Sequence, residues 1–358
     1  MTLEMNGMTE TLAWINAPCP LPNTAAAEAA RQRQNQLTKP YGSLGRLEEM
    51  AIALAGMQNT ATPAPDPIQV LQFLSDHGAV AEDISAFPQA VTIQMLRNMS
   101  NGGAPVTVMA QALGVRLEIT NVGTVSDPGA LPNVRSERLG DGTGNIAREP
   151  AMSERQLING LNLGRAATER ALAQGANLLI CGEMGIGSTT SATALACALL
   201  GESAATLTGP GTGLDVTGVA RKTQVIDAAL ARHVTPDASP LDLLQRLAGF
   251  DIVATVGAFL TAAQYGLPMV VDGFIMSSAA LAAVRLQPSV REWMLFATAS
   301  AEPGHQRMMT ALNAKPYLDF GLRLGEATGA LAVVPLLRLA CELHQHTATF
   351  AEAGVSQN

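Results

Sequence analysis

The chain has 358 residues, 47% of them hydrophobic but only 4% aromatic, and a formal net charge of −8. That length accommodates one large core with a smaller appendage, filled mostly by Ala, Leu, Val, Ile and Met, as in helix-rich α/β proteins. The acidic balance leaves no basic footprint for nucleic acid, so small-molecule partners are expected.

Residues 1–14 carry Glu4 and Glu10 with neither a basic nor an apolar signal region, and no secretory leader is expected. Residues 24–37 read as a helix, and residues 39–57 as a turn at Pro40 and Gly42 followed by a second helix opening near Ser43. Residues 60–67 contain three prolines and read as a linker. A first strand spans 69–75 and ends at Asp76, His77 and Gly78. Residues 87–113 read as helical and 115–121 as a second strand, while 123–150, rich in Gly, Pro, Asp and Asn, form the kind of long loop that is functional or mobile. Ser153 and Gln156 make a capping box for a helix running to about Gln174.

Residues 178–200 combine an apolar run, the glycines Gly182, Gly185 and Gly187, the hydroxyls of Ser188 to Ser191, and an Ala- and Leu-rich segment. The order predicts strand, glycine loop, helix, a layout whose free amides attract an anion. Gly182 and Gly187 are spaced as in a Walker A loop, but Ser188 stands where its lysine belongs, which argues against nucleoside triphosphate hydrolysis. The plainer alternative is a tight turn whose glycines serve only packing.

A second glycine cluster at 208–215 precedes a helix over 218–233, and further helices flank Pro240. The apolar run 252–271 approaches membrane-spanning length, but Gln264 and the Gly266, Leu267, Pro268 break divide it into a helix and a strand. Strands are expected at 268–274 and 294–300, then a last helix that Pro335 should kink or break. The alternation predicts a mostly parallel sheet covered on both faces. Five polar or glycine-rich tips fall at strand C-termini, the edge where open α/β sheets bind ligands: Asp76–Gly78, Asn121–Gly123, Gly182–Glu183, Asp272–Gly273 and Ser300–Glu302.

Glu326 lies among Leu322, Leu324, Ala327 and Ala330, a setting in which a carboxylate with a raised pKa can serve as general base; the alternative is a helix-terminal glutamate facing the macrodipole. Glu183 reads as a binder of ribose hydroxyls or an ordinary loop residue, and Lys222 as an anion contact or a solvated lysine. His77 reads as a catalytic or a loop-ordering group. His344 and His346 point to different helix faces, which argues against a zinc site. The four cysteines, Cys19, Cys181, Cys197 and Cys341, form no C-x-x-C pair and suit reduced thiols in a cytoplasm.

Taken together, the segments at 39–48 (KPYGSLGRLE), 75–78 (SDHG), 87–95 (FPQAVTIQM), 182–192 (GEMGIGSTTSA), 213–222 (GLDVTGVARK), 300–305 (SAEPGH) and 321–330 (GLRLGEATGA) resemble nicotinate-nucleotide:dimethylbenzimidazole phosphoribosyltransferases. The resemblance runs from about residue 39 to the C-terminal TFAEAGV. It implies a Rossmann-like large domain (61–325) and a small helical domain from both termini (1–60 and 326–358), assembled as a cytoplasmic homodimer. It implies a pentosyl transferase of cobalamin biosynthesis that moves phosphoribose from nicotinate mononucleotide to 5,6-dimethylbenzimidazole, giving α-ribazole 5′-phosphate and nicotinate, with neither metal nor cofactor. By resemblance Glu326 is the catalytic base; Glu183, Gly185, Gly187, Lys222 and Ser300 hold the phosphoribose and nicotinate; Phe87, Gln94 or Met95, and Leu324 line the base pocket. Two positions depart from the family pattern: Ser188 replaces a usual asparagine, and Ala327 replaces a usual glycine and would tighten the pocket or alter base preference. A kinase-like P-loop protein and a non-catalytic nucleotide-binding paralogue are the competing readings.

Overall fold

The computed structural model describes residues 12–356; the expectation about Glu4 and Glu10 lies outside them. Six strands form one fully parallel sheet: β1 (Ile68–Ser75), β2 (Arg116–Gly123), β3 (Val134–Ser136), β4 (Leu178–Met184), β5 (Met269–Val271) and β6 (Met294–Phe296), in spatial order β3-β2-β1-β4-β5-β6. This is the order of doubly wound sheets, with the direction of winding reversing between β1 and β4. Every residue of β1 is buried, which its central place under helices on both faces requires.

The helices named below are α1 (Thr24–Gln36), α2 (Arg46–Gln58), α3 (Ala90–Ser100), α4 (Pro105–Leu113), α5 (Glu154–Ala173), α6 (Ser188–Leu200), α7 (Val216–His233), α8 (Pro240–Leu247), α9 (Phe250–Gln264), α10 (Phe274–Leu286), α11 (His305–Ala311) and α12 (Thr328–His346). One face of the sheet shares a core with α5, α6, α9 and α10, through residues such as Phe73, Leu179, Leu195 and Phe259. The opposite face shares a second core with α2, α4 and α12, through Val70, Ile180, Leu54, Val106 and Leu331. Helices from the two ends of the chain also meet each other: Arg33 of α1 donates to the carbonyls of His344 and Gln345, and Leu37 pairs with Thr349. No described helix is long and apolar enough to cross a membrane, and the 252–271 run divides, as expected, between α9 and β5.

Several expectations need correction. The 87–113 region is helical as expected, as two helices separated at Asn101–Ala104 before Pro105. The 123–150 loop contains β3, a three-residue edge strand too short to show a period. Strands β5 and β6 stop after three residues each, at Val271 and Phe296, and Asp272 and Thr298 beyond them line a cavity. Helix α12 continues unbroken through Pro335. An interior proline costs about 3 kcal/mol, but Val333, Val334 and Leu337 are fully buried beside it, and each such side chain returns about 1.5–3 kcal/mol.

Candidate active site

Beyond the C-terminal ends of β4, β5 and β6 the chain encloses a cavity of about 620 Å³, a size suited to a small ligand. Of the five expected strand tips, those of β4 (Glu183), β5 (Asp272, Gly273) and β6 (Ser300, Glu302) line it. The tips of β1 and β2 do not; Asp76, His77 and Asn121 are buried.

Gly182 is inside β4, in register with Gln72 of β1, rather than in the loop. A Cβ there would collide with the Gln72 amide oxygen and lie 2.7 Å from the Ala327 amide nitrogen. Its role is close approach of strand to turn, so the Walker-like spacing loses its first glycine and the P-loop reading with it. The true loop is Gly185–Gly187. Ile186 N donates to Thr92 Oγ1 of α3 (3.0 Å), and Gly187, at φ 99°, starts α6 with no side chain capping it. The positive end of the α6 dipole therefore meets the cavity at Ser188 and Thr189, which line it.

Opposite stands Glu326. It and Ala327 both hold left-handed backbone, φ 55° and 57°, a strained arrangement for residues with side chains. Asp272 fixes the turn: its Oδ1 accepts from Ala330 N at 2.8 Å, within the first turn of α12. A Cβ on Gly329 would sit 2.8 Å from that same oxygen, and one on Gly325 2.5 Å from Glu183 Oε1. Glycines on both sides thus let the turn press between two carboxylates. Glu326 is 4% exposed, and its Oε2 has no hydrogen-bond partner among the described residues.

The electrostatics follow from this packing. Burial raises Glu326 to about 7; the Val106 amide at the start of α4 opposes the rise and the Asp272 carboxylate adds to it. Burial likewise raises Asp272 to about 6 against the pull of backbone amides in its own turn and that of Glu326. Glu183 is pushed well above the usual range by burial and then by Asp251, while a hydrogen bond from Ser188 opposes this. Three carboxyls that resist ionisation together line one wall, and Glu326 can take a proton near neutral pH.

The sequence-expected residues divide in two. Glu326, Glu183, Gly185, Ser300, Phe87, Met95 and Leu324 line the cavity. Gly187, Lys222 and Gln94 do not. Gly187 packs against His77 and Val80, where a Cβ would lie 2.9 and 3.0 Å from their side chains. Lys222 is 1% exposed behind the cavity wall, its Nζ donating to Thr189 Oγ1 (2.7 Å) and Gly209 O (3.5 Å). Burial lowers it to about 8 and Glu302 partly restores it. Gln94 is exposed on the outer side of α3. Val91 and Met95, four apart on α3, share its inner side, with Phe87 just before the helix, and that helical spacing would have selected Met95 and found Val91 from the sequence.

Sequence reasoning also missed Phe274, Ile275 and Met276 at the start of α10, which complete the apolar lining; no local pattern marks the start of a buried helix as a cavity wall. Ala327 corrects another expectation. Its side chain is fully buried in the second core and does not line the cavity, so its methyl group fills space against Gly182 instead of narrowing the pocket. The left-handed backbone at 327 turns it that way.

A phosphoribosyltransferase family model matches residues 19–355. The chain is 54% identical over 346 residues to the nicotinate-nucleotide–dimethylbenzimidazole phosphoribosyltransferase of Ectopseudomonas mendocina, covering 97% of this chain and 99% of that protein. It is 54% identical over 344 residues to the protein of the same name from Azotobacter vinelandii, covering 96% and 97%. Among solved structures, the nicotinate-nucleotide–dimethylbenzimidazole phosphoribosyltransferase of Thermus thermophilus superposes with a TM-score of 0.89 at 40% identity, covering 94% of this chain and all of that one.

Proposed function

The chain belongs to the family of nicotinate-nucleotide–dimethylbenzimidazole phosphoribosyltransferases, and from that membership we propose that it transfers phosphoribose from nicotinate mononucleotide to 5,6-dimethylbenzimidazole. The observation that carries the reading is the buried, unpartnered Oε2 of Glu326 in the wall of a cavity that also holds the uncapped start of α6.

In this reaction one benzimidazole nitrogen attacks the anomeric carbon while the bond from that carbon to the nicotinate nitrogen breaks. The bonding pair goes to nicotinate, which loses its ring positive charge and becomes a good leaving group. Glu326 takes the proton from the second benzimidazole nitrogen, so the ring at the new glycosidic bond of α-ribazole 5′-phosphate is left uncharged. The apolar side of the cavity, Phe87, Met95, Leu324 and Met276, suits a methylated aromatic base. Ser188, Thr189, Gly185 and Ser300 suit the polar phosphoribose, and the Glu183 carboxyl a ribose hydroxyl.

The same reading takes the protein as a cytoplasmic homodimer, with residues 61–325 as the large domain and 1–60 with 326–358 as the small one; the contact of α1 with the end of α12 supports the pairing of the termini. Incubating the purified protein with nicotinate mononucleotide and a panel of benzimidazoles, with mass spectrometry of the products, tests the activity. The expected product is a riboside monophosphate of 5,6-dimethylbenzimidazole with one nicotinate released. Nucleotide binding without any such product would favour the non-catalytic paralogue.

A further inference from the structure

The donor proposed above carries a phosphate and a ring carboxylate, yet the charged lining of the cavity is mostly acidic: Glu183, Asp272, Glu302 and Glu326. The lysine expected to meet the anion, Lys222, is buried behind Thr189 and does not line the cavity. Among the described residues that do, Arg323 is the one basic side chain.

Its placement is specific. Arg323 Nη1 donates to Gly211 O at 3.1 Å, joining the 321–325 segment to the 208–215 glycine loop. Gly211, at φ +54°, is in turn pressed against the α6 start, where a Cβ would lie 2.8 Å from Thr189 Oγ1. Glu302 holds the glycine loop from the other side, Oε1 accepting from Gly211 N at 3.0 Å. Arg323 makes no ion pair among the described residues, so guanidinium donors remain for a ligand. The guanidinium, Gly211 and Thr212, and the positive end of α6 all border the cavity, linked to one another through the Arg323–Gly211 bond and the contact of Gly211 with Thr189.

Resting on the reading above, we propose that Arg323 is a donor-binding residue that clamps the nucleotide phosphate at this end, the bond to Gly211 holding the 321–325 segment over it. Gly321 and Gly325, both at positive φ, bracket the segment, and Leu322 O accepts from Ala301 N at 3.2 Å, which ties the segment to the chain beyond β6.

Steady-state kinetics and calorimetry of Arg323→Ala and Arg323→Lys test this on the full chain. Removing one charge-assisted contact should raise KM for nicotinate mononucleotide roughly tenfold to hundredfold, with a much smaller change in kcat and in KM for the acceptor. Arg323→Lys should recover part of the loss. Nicotinate riboside, which lacks the phosphate, should bind both variants as it binds the unmodified protein. A KM within twofold, an equal rise in both substrates' KM, or an equal penalty for the riboside would overturn the proposal. Calorimetric binding of nicotinate mononucleotide needs no turnover, so binding weakened by Arg323→Ala in a protein that makes no product would sustain the clamp and defeat the transferase reading. No nucleotide binding by the unmodified protein would defeat both.

Discussion

Gly182 and Ala327 meet backbone to backbone: a Cβ on the glycine would stand 2.7 Å from the alanine amide nitrogen and 2.8 Å from its methyl carbon. The strand that presents Glu183 therefore touches the strained turn that presents Glu326, and the spacing of the two carboxyls is set by the absence of one methyl group. Gly182→Ala should force the turn away, costing about 1–3 kcal/mol of stability and lowering kcat/KM more than tenfold. Adding Ala327→Gly removes one of the three obstructions, the others being the Gln72 oxygen and the amide nitrogen of residue 327, and should return part of both losses. Thermal unfolding and kinetics of the two single variants and the double variant measure the coupling, and strict additivity would contradict the contact.

Glu326 should be costly to the fold that holds it. Its pKa of about 7 lies above the ordinary 4.5, so the folded state retains a proton that the unfolded state has released between those values. Stability from this site is fully present below 4.5 and declines as pH rises through 7. Glu326→Gln has no such decline. It should match the unmodified protein near pH 4 and exceed it above pH 7 by up to about 3 kcal/mol, as read by denaturant unfolding across pH. A difference that does not change with pH would refute the buried-carboxylate account.

Activity should follow the opposite limb. A base must be deprotonated, so kcat/KM should rise with pH and level off above an apparent pKa of about 7, a value shared with the neighbouring carboxyls. The Asp272 carboxylate contributes to the raised pKa of Glu326, so Asp272→Asn should move the limb to lower pH. The asparagine oxygen can still accept from Ala330 N, which keeps the turn. A limb that stays in place would remove Asp272 from the electrostatics of the base.

The acceptor side has a simple discriminating pair. Met95 lines the cavity and Gln94 does not, so Met95→Ala should raise KM for 5,6-dimethylbenzimidazole about tenfold or more, the cost of losing buried side-chain contacts of roughly 1.5–3 kcal/mol. Gln94→Ala should leave it within twofold. The reverse ranking would mean that α3 presents its other face.

Much of this was legible in the residues. Alternating apolar runs and helical periods located β1, β2 and β4, and the Ser153–Gln156 capping box forms as its spacing demands. Glu326 could be singled out from its apolar neighbours because a carboxylate among leucines and alanines has few ways to be solvated. What was not legible depends on contacts between distant segments. Gly182 resembled a loop glycine because sequence carries no sign that residue 327 would pack against it. Lys222 resembled a ligand contact because nothing local tells which side of Thr189 its ammonium occupies. Short strands such as β3 are set by neighbours and have no period to read.

The central claim, that Glu326 is the base of a phosphoribosyl transfer, is tested most directly by Glu326→Ala with nicotinate mononucleotide and 5,6-dimethylbenzimidazole. The unmodified protein should release nicotinate and form the riboside phosphate in equal amounts, whereas the variant should bind the nucleotide but turn over ~10²–10⁴-fold more slowly. Near-normal release of nicotinate by the variant would contradict the account.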